Sequence, residues 1–311
     1  MSVLVTGATG FVGGVVARRL LADGEEVAGL VRGDPSRLPV GVHPVCGDLT
    51  GEVAFPAGVT RVVHCAASVS FALPLAESRA INVGGTGRVL DAAARLPRLE
   101  RLVHVSTAFV GGTHDGAFGE DDHDVGQDFR NGYERSKHEA EALVAASGLP
   151  ARIVRPSIVV GDSRTGRTAS FNVLYAPLQA FARGLVRRVA ADPGSVLDVV
   201  PVDHVADVIL AALQAPGDGT LHAVAGERAT TAGEFAALAG AALGREPVEF
   251  DPSAPALRGL DVYFPYFSVQ TRFRADRARS LGLAPPALGD YFERIVAYAV
   301  DAGWGRRPVA A

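Results

Sequence analysis

Ser2-Val3-Leu4-Val5-Thr6-Gly7-Ala8-Thr9-Gly10-Phe11-Val12-Gly13 opens the chain, and its reading decides the fold. Residues 2 to 6 are apolar and β-branched, as in a strand buried on both faces. Glycines 7, 10 and 13 follow at once. Phe11 to Ala22 then carries the helical period, with Val12, Val16 and Leu20 on one face. Glycines let the backbone turn tightly and come close to a phosphate. The first helical turn offers unpaired N–H groups and the positive end of the helix dipole. A glycine turn alone is common, but between a strand and a helix it has the context that a dinucleotide pyrophosphate requires. Gly7, Thr9, Gly10, Phe11, Val12 and Gly13 are therefore read as a phosphate cradle.

The same alternation continues outward. Glu25–Val31, Val42–Cys46, Arg61–Cys65, Arg101–Val105 and Arg152–Val160 read as strands. Ile81–Leu96 and Tyr133–Ala146 read as helices, the second with Ala140, Leu143 and Val144 facing inward. Strand, helix, strand repeated in this way predicts an α/β fold with a Rossmann-type doubly wound parallel sheet. Beyond Gly161 the pattern loosens. Ser163–Ser170 is polar, Phe171–Arg188 has helical character, and Val196–Val200 and Leu221–Val224 read as returning strands. Thr230–Leu243 is a helix opened by a capping box of Thr231 and Glu234, and a last helix spans Tyr291–Val300. The expected division is a cofactor domain of residues 1–160 plus about 195–228. A smaller substrate-binding subdomain takes about 161–194 plus 229–311.

Composition limits the partners. Of 311 residues, 48% are hydrophobic and 21% charged, enough for a sizeable core. The net charge is −4 with no basic run, which argues against nucleic acid. Two cysteines, Cys46 and Cys65, make no disulfide framework, so a reduced cytoplasmic setting is expected. The chain starts as a strand rather than a signal peptide, and its apolar runs are too short for a membrane span. No metal site is read. Of 30 Lys plus Arg residues a single one, Lys137, is lysine.

Around the cradle, the second strand ends at Arg32. An acidic residue there would hold a free ribose hydroxyl. A guanidinium instead suits a 2′-phosphate, so Arg32, with Arg37 as a second partner, favours NADPH over NADH. Asp34 reads as a turn or cap before Pro35. Asp48 and Leu49, after the third strand, are placed at the adenine. Ala66 and Ala67 are small enough for a strand end to lie against the cofactor, while His64 and Cys65 read as ordinary packing.

Tyr133-Glu134-Arg135-Ser136-Lys137 sets a phenol and an ammonium four residues apart, on one helix face. A carbonyl accepting hydride needs a proton donor for its developing oxyanion. A neighbouring ammonium is expected to lower the phenol pKa and to hold the nicotinamide ribose. The one lysine of the chain falls at the one position where that chemistry asks for it. Ser106 and Thr107 end the preceding strand, and alternation leaves one of them to share the oxyanion.

These segments together resemble the extended short-chain dehydrogenases: TGATGFVG, the NVGGT of Asn82 to Thr86, the VSTAF of Val105 to Phe109, YERSK, and the RPSIVVG of Arg155 to Gly161. The resemblance covers residues 1 to about 215. With FRNGYERSKHEAE, SIVVGDSRTG and VVPVDHVAD it is most similar to the thioester-reductase and fatty acyl-CoA reductase branch, also called male-sterility-like. The resemblance implies a triad of Thr107, Tyr133 and Lys137, with Asn82, Pro156 and Ser157 joining the cofactor site. It implies NADPH-dependent reduction of a thioester on CoA or a carrier protein to an aldehyde, or further to an alcohol. Reduction of a ketone or aldehyde, and nucleotide-sugar epimerisation or reduction, use the same triad and stay open. Arg164, Arg167, Arg183, Arg187 and Arg188 are the cations a nucleotide-sugar would need. Specificity is assigned to Gly111–Gln127, Asp162–Leu178 and the aromatic patch Tyr263–Phe267. The helices Ile81–Leu96 and Tyr133–Ala146 are the expected surface of a homodimer.

Overall fold

The computed structural model describes residues 2–171, 173–255 and 262–306. In chain order its strands are β1 (Val3–Thr6), β2 (Val27–Val31), β3 (His43–Cys46), β4 (Arg61–His64), β5 (Arg101–Val105), β6 (Gly116–Phe118), β7 (Ala151–Pro156), β8 (Ile158–Val160), β9 (Arg188–Val189), β10 (Val196–Leu197), β11 (Val199–Pro201), β12 (Gly219–Ala223), β13 (Thr230–Thr231), β14 (Glu249–Phe250) and β15 (Thr271–Phe273). Its helices are α1 (Phe11–Ala22), α2 (Leu75–Ala94), α3 (Gly132–Ala146), α4 (Tyr175–Ala182), α5 (Val202–Gln214), α6 (Ala232–Leu243), α7 (Asp276–Ser280) and α8 (Phe292–Asp301).

Seven strands form one parallel sheet in the order β12-β7-β5-β4-β1-β2-β3. Alternation along each strand decides which layer a residue enters. Val3, Val5, Val63, Val103 and Val154 meet α1 and α5 on one face. Leu4, Ala28, Val62, Leu102 and Ile153 meet α2 and Val144 of α3 on the other. A sheet covered on both faces is why its strands read as apolar runs. A third cluster fills the C-terminal lobe, where α4, α6 and α8 bury Leu178, Phe235, Phe292 and Ile295.

Five local differences from the sequence reading stand out. The single strand expected over Arg152–Val160 is two, because Pro156 has no N–H to continue the ladder. Ser157 N then bonds Ala223 O and Ile158 N bonds Asp198 O, and β8 pairs with β11 outside the main sheet. Helix α2 begins at Leu75, six residues before the expected Ile81. Its first turns are polar, and Arg79 holds them to α3 through a bidentate pair with Glu139 at 2.7 and 2.6 Å. Leu143 of α3 faces outward, while Ala140 and Val144 are buried. Helix α5 was not read as a helix. Its less buried positions, Asp203, Asp207, Ala211 and Gln214, fall at helical spacing, so the period was there to be read. Helix α6 does begin at the expected capping box, with Thr231 and Glu234 bonded reciprocally. Of the helical stretch expected over Phe171–Arg188, only Tyr175–Ala182 is helix, and residue 172 lies outside the described residues. So does the end of the expected subdomain, residues 307–311. Both cysteines are free. Among the described residues no helix is long and apolar enough to cross a membrane.

Candidate active site

The carboxyl ends of β1, β2, β4, β5 and β7 open into one cleft of about 720 Å³, within the range of about 300–1,000 Å³ usual for cofactor sites. Gly7 has φ +73°, and a Cβ on it would meet Ala66 N at 2.8 Å, so the β1 turn lies directly against the end of β4. A Cβ on Gly13 would lie 2.3 Å from Gly7 O, so α1 starts as close to that turn as backbone allows. Gly10 caps α1 without a side-chain bond, and the first turn holds no acidic residue. The N–H groups there are free to face an anion. This cradle fits a pyrophosphate.

Arg32 and Arg37 are exposed and line the same cleft. Arg32 makes no hydrogen bond or ion pair among the described residues. Asp34, the complication beside it, is spent locally: it accepts from Ser36 N at 2.9 Å and Ser36 Oγ at 2.7 Å, capping the turn Pro35–Arg37. Asp48 accepts from Thr50 N at 2.9 Å, which, with Arg32 nearby, holds its carboxyl below the usual range. Leu49, Ala66, Ala67, Pro156 and Ser157 also line the cleft.

Asn82 does not line it. Its side chain is buried, accepting from Ser68 N at 2.8 Å and donating to Ser68 O and Ser136 Oγ at 3.1 and 2.9 Å. It fixes the loop after β4 to α3 from beneath the cleft. His64 is structural, as expected. Ala66 N donates to Thr6 Oγ1, Thr6 Oγ1 to His64 Nδ1, His64 Nε2 to Thr86 Oγ1, and Thr86 Oγ1 to Asn82 O. Thr86 Oγ1 spends its proton on Asn82 O, so Nε2 is the donor, and Nδ1 accepts from Thr6 Oγ1 when the ring is neutral. Burial agrees, holding His64 down at about 3.

Thr107, Tyr133 and Lys137 meet at the inner end of the cleft. Asn131 caps α3 through Glu134 N at 3.0 Å, and Tyr133 and Lys137 then fall on one face. The Tyr133 phenol is pushed up to about 12 by burial, opposed by a hydrogen bond with Thr107 and helped by Glu134. The expected lowering by Lys137 is absent. Lys137 Nζ is turned to β5, donating to Val105 O at 2.8 Å and His104 Nε2 at 3.2 Å. Burial brings the ammonium itself down to about 8. Ser106 and Thr107 both line the cleft, because β5 ends at Val105 and alternation stops there. Thr107 Oγ1 donates to Pro156 O at 3.4 Å and accepts from Phe109 N at 3.2 Å, while Ser106 Oγ is buried without a partner among the described residues.

Phe71 is a wall residue that the sequence reading missed. Its ring lies 5.6 Å from Tyr133 and stacks on Tyr266 at 4.8 Å. Phe109 meets Tyr266 edge-on at 4.9 Å. The patch Tyr263–Phe267 therefore splits. Tyr266 lines the cleft and donates to Glu134 at 2.7 Å, while Phe264 and Phe267 line a separate apolar hollow with Phe235 and Phe181. Of Asp162–Leu178, Ala169, Ser170 and Val173 reach the cleft. Gly111–Gln127 does not: it pairs β6 with β15, and Glu120 caps α7 through Arg277 N at 2.5 Å. Phe71 was missed because its loop carries no periodic signal.

A family profile described as "Male sterility protein" matches residues 54–209, half of the chain. The chain is 36% identical over 248 residues to Sterol demethylase protein B of Methylococcus capsulatus, covering 74% of this chain and 71% of that protein. It is 32% identical over 183 residues to Fatty acyl-CoA reductase wat of Drosophila melanogaster, covering 49% of this chain and 35% of that protein. It spans 35% and 50% of the length of two further Drosophila relatives of the fatty acyl-CoA reductase type. Among solved structures, the terminal R domain of the myxalamid PKS-NRPS biosynthetic pathway superposes with TM-score 0.83 at 24% identity, over 99% of this chain and 92% of that one. The chain belongs to the male sterility family, the fatty acyl-CoA reductase branch of the extended short-chain dehydrogenases, which are NAD(P)-dependent oxidoreductases.

Proposed function

We propose that the chain is an NADPH-dependent reductase of acyl thioesters, borne by CoA or a carrier protein, that releases an aldehyde. The observation that carries this reading is the Tyr133 phenol, kept protonated at neutral pH by burial, lining one cleft with Thr107 and Lys137 and faced by the Phe71–Tyr266 wall. Similarity to fatty acyl-CoA reductases supports an acyl substrate.

The bound nicotinamide supplies the hydride. The α1 cradle holds the pyrophosphate, Arg32 and Arg37 take the 2′-phosphate, and Lys137 holds the ribose. Thr107 and Tyr133 both donate to the substrate carbonyl oxygen, where charge develops. Tyr133 gives its proton to that oxygen once the carbon is reduced. The hemithioacetal so formed collapses to aldehyde, and the departing thiolate takes up a proton. The aromatic wall keeps water from the reacting carbon and suits an apolar acyl group. A nucleotide-sugar is a poorer fit, since Arg164, Arg167, Arg183, Arg187 and Arg188 are not among the cleft residues.

The test follows NADPH absorbance and free thiol with an acyl-CoA, an acyl-pantetheine thioester, the matching aldehyde and a ketone. Thioester-dependent oxidation with thiol release supports the reading. Turnover with the aldehyde or ketone alone overturns it.

A further inference from the structure

His104 lies on β5 directly beneath Lys137, fully buried. Its Nε2 is 3.2 Å from Lys137 Nζ, and Val105 O is 2.8 Å from the same nitrogen. An ammonium can only donate, so Nε2 must accept and the ring proton must sit on Nδ1. That Nδ1 has no hydrogen-bond partner among the described residues. A buried donor without a partner is rare and asks for a reason. Packing supplies none, since an apolar residue of the same size would avoid the cost. The neighbouring His64, with its ring 5.2 Å away, shows the contrast: both its nitrogens are bonded and it holds only structure.

We propose that His104 is a positioning residue for the reaction, its Nε2 accepting from the Lys137 ammonium so that, with Val105 O, two of the three N–H groups are fixed on β5 and the third is left for the cleft. The role in turnover rests on the functional reading above; the contact itself does not. The charged and titratable groups around the pair are His64 and Cys65 at the end of β4, and Tyr133 and Glu141 of α3. Glu141 is already bound bidentately by Arg155 at 3.0 and 2.7 Å. His64 and His104 are both held neutral by burial first and by the Lys137 charge second. His104 is therefore the neutral side chain that accepts from the ammonium. Accepting a hydrogen bond favours the charged form of the donor, against the burial that draws Lys137 down to about 8. An arginine could not be held this way, because its planar fork does not fit one imidazole nitrogen and one carbonyl on a strand edge.

The chain carries one lysine, so an isotopic label at lysine Cε gives a single NMR signal whose titration belongs to Lys137. In His104→Leu the midpoint falls by about one pH unit or more, the effect of losing one bond to a charged donor. In His104→Gln, whose amide oxygen restores an acceptor, it returns toward the unaltered protein. Thioester turnover at neutral pH falls about twofold in the first for a one-unit shift from about 8, more if the shift is larger, and recovers in the second, following that midpoint. An unmoved midpoint in folded His104→Leu overturns the proposal, as does an equal fall in both variants. If His104→Leu does not fold, the imidazole nitrogen shifts of the unaltered protein decide: a neutral Nδ1–H ring supports the proposal, and an Nε2–H or charged ring overturns it. The titration needs neither cofactor nor substrate. A shifted midpoint with no thioester turnover therefore sinks the functional reading alone, and turnover with an unmoved midpoint sinks this one alone.

Discussion

Three side chains of the cleft, Tyr133, Arg32 and Lys137, each lead to a measurement. Tyr133→Phe removes the proton donor but leaves the ring against Phe71. Turnover is expected to fall by about 10²–10⁴-fold, while NADPH binding, read by calorimetry, stays within a few-fold. Arg32 is exposed in the cleft and makes no hydrogen bond or ion pair among the described residues. Arg32→Asp is expected to weaken NADPH by roughly tenfold or more, one lost charged contact, and to leave NADH affinity level or improved. An unchanged ratio of the two cofactors would argue that the 2′-phosphate lies elsewhere. Lys137 sets a pH limit. Its ammonium titrates at about 8 in the folded protein against 10.5 in the unfolded chain. Activity that needs the ammonium therefore falls as pH rises through about 8. Between the two values the unfolded chain holds the proton that the folded protein has released. Lys137 alone thus makes stability rise with pH across that window, by about 3 kcal/mol. Denaturant titrations at either end, compared with Lys137→Met, measure it. At this scale the four-residue spacing of Tyr133 and Lys137 was legible, since it needs only a helix. The direction of Nζ was not, because it depends on His104 and Val105 of β5.

The elements that hold these residues differ in how openly the sequence announces them. Helix α1 was read to the residue, since a glycine turn starts it and its apolar period shows a buried face. Gly13→Ala places a methyl 2.3 Å from Gly7 O, which α1 can escape only by moving off the turn. Such a shift is expected to cost about 1–3 kcal/mol and to weaken the cofactor in parallel. Gly87 of α2 is the matched control. A Cβ there meets nothing within 4 Å, and Gly87→Ala is expected to stabilise the helix by about 0.5–1 kcal/mol. Thermal melts of the pair separate the two mechanisms. Helix α2 was read short at its start, and α5 was missed. The first turns of α2 are polar and are held by Arg79 to a neighbour 60 residues away. Helix α5 carries a helical period, with Asp203, Asp207 and Gln214 on its less buried side, and was missed despite it.

Across the whole molecule, the C-terminal lobe is tied to the sheet by polar contacts that no local pattern reveals. Tyr266 bonds Glu134 and Asn131 at the start of α3, and Glu120 reaches both β12 and α7. Arg155 on β7 binds Glu141 of α3, Asp122 O and His222 Nε2 in one buried set. Arg155→Met leaves the Glu141 carboxylate buried without its partner, and is expected to cost about 3–5 kcal/mol. Urea unfolding checks this, with a loss under 1 kcal/mol counting against it. By itself the sequence determined the parallel sheet, the phosphate cradle and the pairing of Tyr133 with Lys137, because each rests on short-range period, glycine placement or fixed helical spacing; the choice of Thr107 over Ser106 came from the family resemblance. Only the tertiary structure decided that Phe71 and Tyr266 face Tyr133, that Asn82 sits beneath the cleft rather than on its wall, and that His104 holds Lys137. Those contacts join residues tens to more than a hundred positions apart, and burial, which sets both their pKa values and their partners, exists only once the chain has packed.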